Sequence, residues 1–300
     1  MTPAQLDRLW KELQNPAGAV SMLAIDRMPA DALAFYRPFH WAPHREWGIY
    51  MLAGRLLNYC LKLYSAFAVH LAAFTLETLL GCVLFEVFHH EFFHHSVECA
   101  ATTIEIASAG FGPPRPIYAN YWNGEYAKEP GVRPHPDHPL EEALANSYAY
   151  NSFSFLSRTE IGHKLLWVKL YQKVLEKCWP KEPLGYRSAG KYANGEYVTG
   201  AAQLLAMLLS NPDVDPASLL LLAKRVMPNG NSAFLQKAEV PTYFVGLEAE
   251  LEQLYKLAPA PSETYTTLLW LGDTSEVDRY LKDRKAKEQK EKHGNSPETV

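Results

Sequence analysis

Apolar residues at Leu6, Leu9, Trp10 and Leu13 recur at the spacing of one helix face, so the pattern predicts a first helix over Pro3 to Leu13, capped by Thr2. Ala19 to Ile25 and Trp47 to Leu52 are instead short β-branched and aromatic runs between turn-forming residues, which predicts two strands. From Arg55 to Ala109 there is no proline and Gly81 is the only glycine; this stretch is expected to be the helical heart of the chain, broken near Gly81 into two helices. Gly110 to Pro139 is rich in proline and glycine and predicts an irregular loop, long enough to wall a cleft. Pro139 suits the first position of a new helix, where its missing N–H costs nothing. Further on, Asn194-Gly195 within Lys191 to Thr199 predicts a hairpin, Ala201 to Leu209 and Ser218 to Val226 predict short helices, and Val240 to Gly246 predicts a strand. No internal repeat is visible.

These elements predict an α+β fold, predominantly helical with a small sheet. Residues 1–280 are expected to form a single globular domain with a catalytic core at about 45–165, and 281–300 a charged, disordered tail. The stretch Tyr64 to Phe88 is long and apolar enough to raise the question of a membrane span. His70, Glu77 and Glu86 fall inside it, and a charge at mid-membrane costs about 2.5–3.5 kcal/mol, so a buried helix is the expectation. Among 300 residues, 48% hydrophobic content is ample for a core, while a formal charge of -4 offers no general field for nucleic acid or anionic lipid. Cys60, Cys82, Cys99 and Cys178 form no C-x-x-C pair, and the first residues lack a basic segment followed by an apolar one, which together predict a reducing, cytoplasmic setting.

Chemistry concentrates in His89-His90-Glu91-Phe92-Phe93-His94-His95. On a helix, residues four apart share a face, so His90 and His94 can aim both imidazoles at one point while Glu91 stands a step round it. That is the H-E-x-x-H arrangement: two neutral imidazoles hold zinc, and the carboxylate takes a proton from a zinc-activated water. Phe92 and Phe93 are then expected to face the core, and His89 and His95 to point away from the metal. A third ligand is expected on the helix begun by Pro139, where Glu141 and Glu142 stand side by side. As third helical residue Glu141 can cap the backbone at His138, which leaves Glu142 as the preferred ligand and Glu141 as the alternative. Asn146, one turn on, can orient a ligand imidazole. Glu98 is balanced between supporting a ligand histidine and a structural ion pair, and Glu105 is expected to be structural.

On His90, Glu91, His94 and Glu142 the chain resembles the gluzincins, the thermolysin-like zinc peptidases, in which H-E-x-x-H on one helix is completed by a glutamate on a later one. Asn146 stands where those enzymes have an aspartate. A fainter similarity, over about Trp47 to Tyr150, is to bacterial metallopeptidase-like proteins with a Trp-Gly-Ile-Tyr strand, a His-Glu-x-Phe-His-His helix and a Glu-Glu-Ala-Leu-Ala-Asn helix. The resemblance implies a zincin-like core, a Zn2+ cofactor, a protein or peptide substrate, and hydrolysis of peptide bonds with Glu91 as general base. It also implies a side chain that donates to the oxyanion, for which Tyr118, Tyr121, His135, His138, Tyr148, Tyr150 and His163 are all open.

Two other readings compete. Glu91-x-x-His94 and Glu160-x-x-His163, with Glu77 and Glu142, imitate a di-iron carboxylate bundle, although 17 residues between Glu142 and Glu160 leave little room for two antiparallel helices reaching one depth. The third is a non-enzymatic helical binding protein whose histidines are structural.

Overall fold

The computed structural model describes residues 32–41, 47–72, 74–109, 115–126, 137, 139–156, 164–209, 215–230 and 240–257. The expected helix at Pro3 to Leu13, the strand at Ala19 to Ile25 and the tail lie outside these residues, as do His135, His138, Glu160 and His163.

Three short strands make one sheet in the order β1 (Ala34–Arg37), β2 (Gly48–Leu52), β3 (Thr242–Val245), antiparallel between the first two and parallel between β2 and β3. β2 is buried along its whole length, as expected of a central strand with Ile49, Met51 and Leu52 on it. The helix α1 (Ala53–Ala66) follows without a loop. A single turn at Ala68–Leu71 leads to α2 (Leu76–Ala109), then α3 (Ile117–Tyr126), α4 (Leu140–Leu156), α5 (Lys164–Cys178), α6 (Tyr197–Leu208), α7 (Leu220–Val226) and α8 (Glu248–Leu257).

The helical heart breaks at Phe67 to Thr75, not at Gly81. Phe67 leaves helical geometry at φ -125, ψ 31, and Thr75 restarts the chain by accepting the Thr78 N–H on its hydroxyl at 3.2 Å. Gly81 sits buried inside α2, which runs 34 residues, about 50 Å at 1.5 Å per residue. Leu79, Leu80, Val83, Leu84, Phe85, Val87 and Phe88 are buried on successive faces of it, so the Leu76 to Phe88 part of the long apolar stretch opens a central helix packed among others, while Tyr64 and Val69 before it are exposed. Among the described residues no helix is long and apolar enough to cross a membrane.

Two further expectations are corrected. The region expected to be irregular contains α3, whose Ile117, Tyr118 and Tyr121 dock in the core. The expected hairpin is a helical corner: Gly195, at φ 119, kinks the chain between Ala189–Lys191 and α6, and buried Tyr192 and Tyr197 flank it. Asn-Gly favours a positive φ without dictating that strands surround it. The helices at Ala201 to Leu209 and Ser218 to Val226 and the strand at Val240 to Gly246 are present within a few residues of expectation.

Candidate metal centre

α2 and α4 pack against each other, and their pairing runs antiparallel: His90 meets Glu142 and Asn146, while His94, one turn on, meets Glu141. His90 Nε2 lies 3.3 Å from His94 Nε2, and Glu142 Oε2 lies 3.1 Å from the first and 3.6 Å from the second. Each Nδ1 faces a fixed acceptor, Asn146 Oδ1 at 2.8 Å for His90 and Glu141 Oε1 at 2.7 Å for His94. An acceptor at Nδ1 requires the proton there, which leaves the Nε2 lone pairs of the neutral rings aimed at one another and at a carboxylate oxygen. Such a convergence of lone pairs is repulsive unless a proton or a cation stands among them. Protonation relieves it: His94 is raised well above its ordinary value and His90 is raised too, burial opposing and Glu142 prevailing. Glu142 is held well below the carboxylate range, again against burial, by His94 and His90.

A metal fits the same space. Zinc bonds of about 2.0–2.1 Å put two tetrahedral ligands about 3.3–3.4 Å apart, and the three observed separations bracket that figure. Among the described residues this is the one group of three or more His, Cys, Asp or Glu side chains so arranged. Glu77 does not join it, nor does Glu98.

Glu141, whose expected cap at His138 falls outside the described residues, faces α2 and α3. Its two oxygens hold His94 Nδ1 and accept the Tyr121 hydroxyl, so the neighbour of Glu142 orients the His94 ring. Asn146 does the same for His90, as expected. Phe92 and Phe93 face the core, and His89 and His95 point away from the cluster, His89 donating to the Phe85 carbonyl and His95 bonding Tyr36 Oη.

Glu91 is nearly buried beside the cluster, and it accepts the backbone N–H of Tyr36 in β1; burial, only partly offset by His90 and His94, raises its pKa. The strand is held there by a second group. Glu98, fully buried, accepts from the Tyr36 hydroxyl, from the backbone N–H groups of Phe39 and His40, and from His40 Nδ1 at 2.6 Å. His40 Nε2 reaches Glu105 at 3.0 Å, and Glu105 also accepts the Tyr118 N–H at 2.9 Å. Glu98 is therefore a structural anchor of the chain leaving β1, not a partner of a ligand histidine, and Glu105 is structural as expected. His40 carried no sequence signal, since its partners lie 58 and 65 residues away.

A cleft of about 350 Å³ opens beside His90, Glu91 and Asn146. Ala34 of β1, Glu86 of α2 and Tyr186 also line it. Tyr186 stacks on the His90 ring, 5.8 Å between centroids at 6°. Gly185 makes this possible: at φ 87 it lies so close to Pro139 that a Cβ would fall 2.7 Å from the proline Cδ. Tyr118, Tyr121 and Tyr148 are buried in the core, and Tyr150 donates to Glu176; none of these lines the cleft. No family model, curated protein or solved structure matches the chain.

Proposed function

We propose that the chain is a zinc-dependent metallopeptidase with His90, His94 and Glu142 as ligands and Glu91 as general base. The observation that carries this reading is the convergence of two Nε2 lone pairs and one carboxylate oxygen at zinc spacing, with Glu91 adjacent on an open cleft. Three protein ligands leave a fourth position open, as catalytic zinc requires. A helix bearing H-E-x-x-H, a following helix bearing the glutamate, and a strand bordering the cleft also agree with a zincin-like core.

Zinc bound there supplies Lewis acidity and lowers the pKa of water. The chain's own residues do the rest. Glu91 takes the proton of the attacking water and returns it to the leaving amine, and the Tyr36 N–H keeps its carboxylate turned to the cleft. Tyr186, on the His90 ring, is the residue we assign to donate to the developing oxyanion. β1 can receive an extended peptide. Leu33 gives its carbonyl to Leu52 in β2 and Tyr36 turns its N–H to Glu91, so by alternation the main chain of Ala34 faces the cleft.

The decisive measurement is metal content followed by proteolysis. One zinc per chain is expected, with Glu91→Gln keeping the zinc and losing about 100- to 10,000-fold in peptide hydrolysis. Two irons, no metal, or loss of zinc in Glu91→Gln each defeats the reading. Tyr186→Phe is expected to lower kcat about 100-fold or more with little change in KM, because its contribution arises only in the transition state.

A further inference from the structure

The cleft extends away from the metal cluster along α2, and its lining changes character. Glu86 precedes His90 by four residues, so it stands on the same helix face about 6 Å along the axis, the distance from a scissile bond to a neighbouring side chain. The Glu86 carboxylate receives one hydrogen bond among the described residues, from the Tyr171 hydroxyl, and no lysine or arginine is paired with it. The positive group that acts on it is His90, which is neutral as a metal ligand, and Glu182 adds a second negative charge nearby. Burial pushes the Glu86 carboxyl up to about 7. Tyr59, whose phenol feels the Glu86 charge, lines the same cleft with Asn58, Val87, Leu175 and Trp179, and two of these are aromatic rings of the kind that attract cations. The cleft's own cations lie elsewhere on its wall: Arg55 donates to the Ala32 carbonyl at 3.1 Å, and neither it nor Lys62 is among the charges acting on Glu86.

A largely buried carboxylate that borders aromatic rings, without a cation of its own, is incomplete. We propose that this pocket takes the cationic side chain, lysine or arginine, of a peptide residue flanking the cleaved bond, with Glu86 as its counter-ion. The proposal rests on the peptidase reading for its orientation of the ligand. At about 350 Å³ the whole cleft, from Glu91 to Glu86, has room for a short extended segment and not a folded domain, which suits recognition of an exposed segment.

The test measures binding separately from cleavage. Zinc-loaded Glu91→Gln protein is titrated calorimetrically with N-acetyl-alanyl-lysine amide, with the norleucine analogue, and with leucine amide, whose only cation is a free α-amine. The lysine probe is expected to bind at least tenfold more tightly than the norleucine probe. Adding Glu86→Gln should abolish that difference and leave the norleucine affinity unchanged; the change is isosteric and keeps an acceptor for Tyr171. As a control for packing, Tyr171→Phe keeps the charge and should keep the preference. Equal affinities, or a preference that survives Glu86→Gln, overturns the proposal. A Glu86-dependent advantage confined to leucine amide overturns it as well and assigns the pocket to a substrate α-ammonium. Lysine-selective binding to a wild-type protein that cleaves nothing would reject the peptidase reading and leave the pocket assignment standing.

Discussion

His94 presents its Nε2 to the cluster because Glu141 occupies its Nδ1, and Glu141 is itself fixed by the Tyr121 hydroxyl. His90 is turned by Asn146, a neutral acceptor in the position where a carboxylate gives a stronger hold. The two ligand rings are thus supported unequally. Replacing Glu141 with Gln offers the imidazole a weaker, neutral acceptor and is expected to cut zinc affinity about 10- to 100-fold, measured by competition with a chromophoric chelator. Asn146→Asp should change affinity in the opposite direction, since it places a charge on the His90 Nδ1–H. An affinity unmoved by either would mean that the rings are held by packing alone. The three residues of the cluster were legible because they obey local rules: helical spacing sets His90 beside His94, and a proline start sets Glu142 on the next helix. The bonds of Glu141 to His94 and Tyr121 were not, because they depend on how α4 is rotated against α2 and α3. Tyr186 was invisible for the same reason, its place depending on the close approach of Gly185 to Pro139.

At the scale of elements, β1 is placed by side chains on α2, not by its own pairing alone. The four donors on Glu98 and the bridge of His40 to Glu105 fix the end of β1 one turn and more beyond His94, and so set where the Tyr36 N–H meets Glu91. His40→Phe removes both ring bonds while leaving Glu98 and Glu105 with backbone donors. A loss of about 1–3 kcal/mol in urea unfolding is expected. Because β1 then shifts against Glu91, kcat should fall although zinc content does not; a variant that loses stability but keeps kcat would show that the anchor is remote from the chemistry. None of this followed from periodicity. β2 and most helices did, since each buries a face that its own residues announce, and β3, half-buried throughout, is marked by its β-branched and aromatic run. The break at Phe67 escaped notice because nothing in its identity stops a helix, whereas Gly81 looked like a stop and is only a small residue in a crowded centre. The kink at Gly195 was located correctly but assigned to strands, because the apolar residues around it fit either period over so short a run.

For the whole molecule, the core of α2 sets titrations against one another. His89 and His95 are both held down to about 4 by burial, so each stays neutral in the fold while the unfolded chain binds a proton at about 6.5. Their contribution to stability is present above that pH and drains away as pH falls from about 6.5 towards 4. Glu86 acts with the opposite sign: raised to about 7, it binds its proton more readily folded than unfolded, and its contribution grows as pH falls from about 7 to 4.5. His40 is raised too, its bonds to Glu98 and Glu105 outweighing burial; its contribution is complete below about 6.5 and is lost as pH rises through its folded value, so it adds to the Glu86 side of the balance. The wild-type profile between pH 8 and 5 should therefore be flatter than either set alone would make it, and single substitutions should tilt it in opposite directions. Chelator-treated protein is the material to use, since acid would displace any metal held by the histidines. In urea titrations at the two pH values, His89→Phe should raise stability at pH 5 relative to pH 8 by about 2 kcal/mol, its Nε2 having no partner to lose. Glu86→Gln should lower it by about 1–2 kcal/mol, a figure reduced for its exposure to the cleft. If both variants tilt the profile the same way, the buried imidazole and the cleft carboxyl are not the groups that shape it.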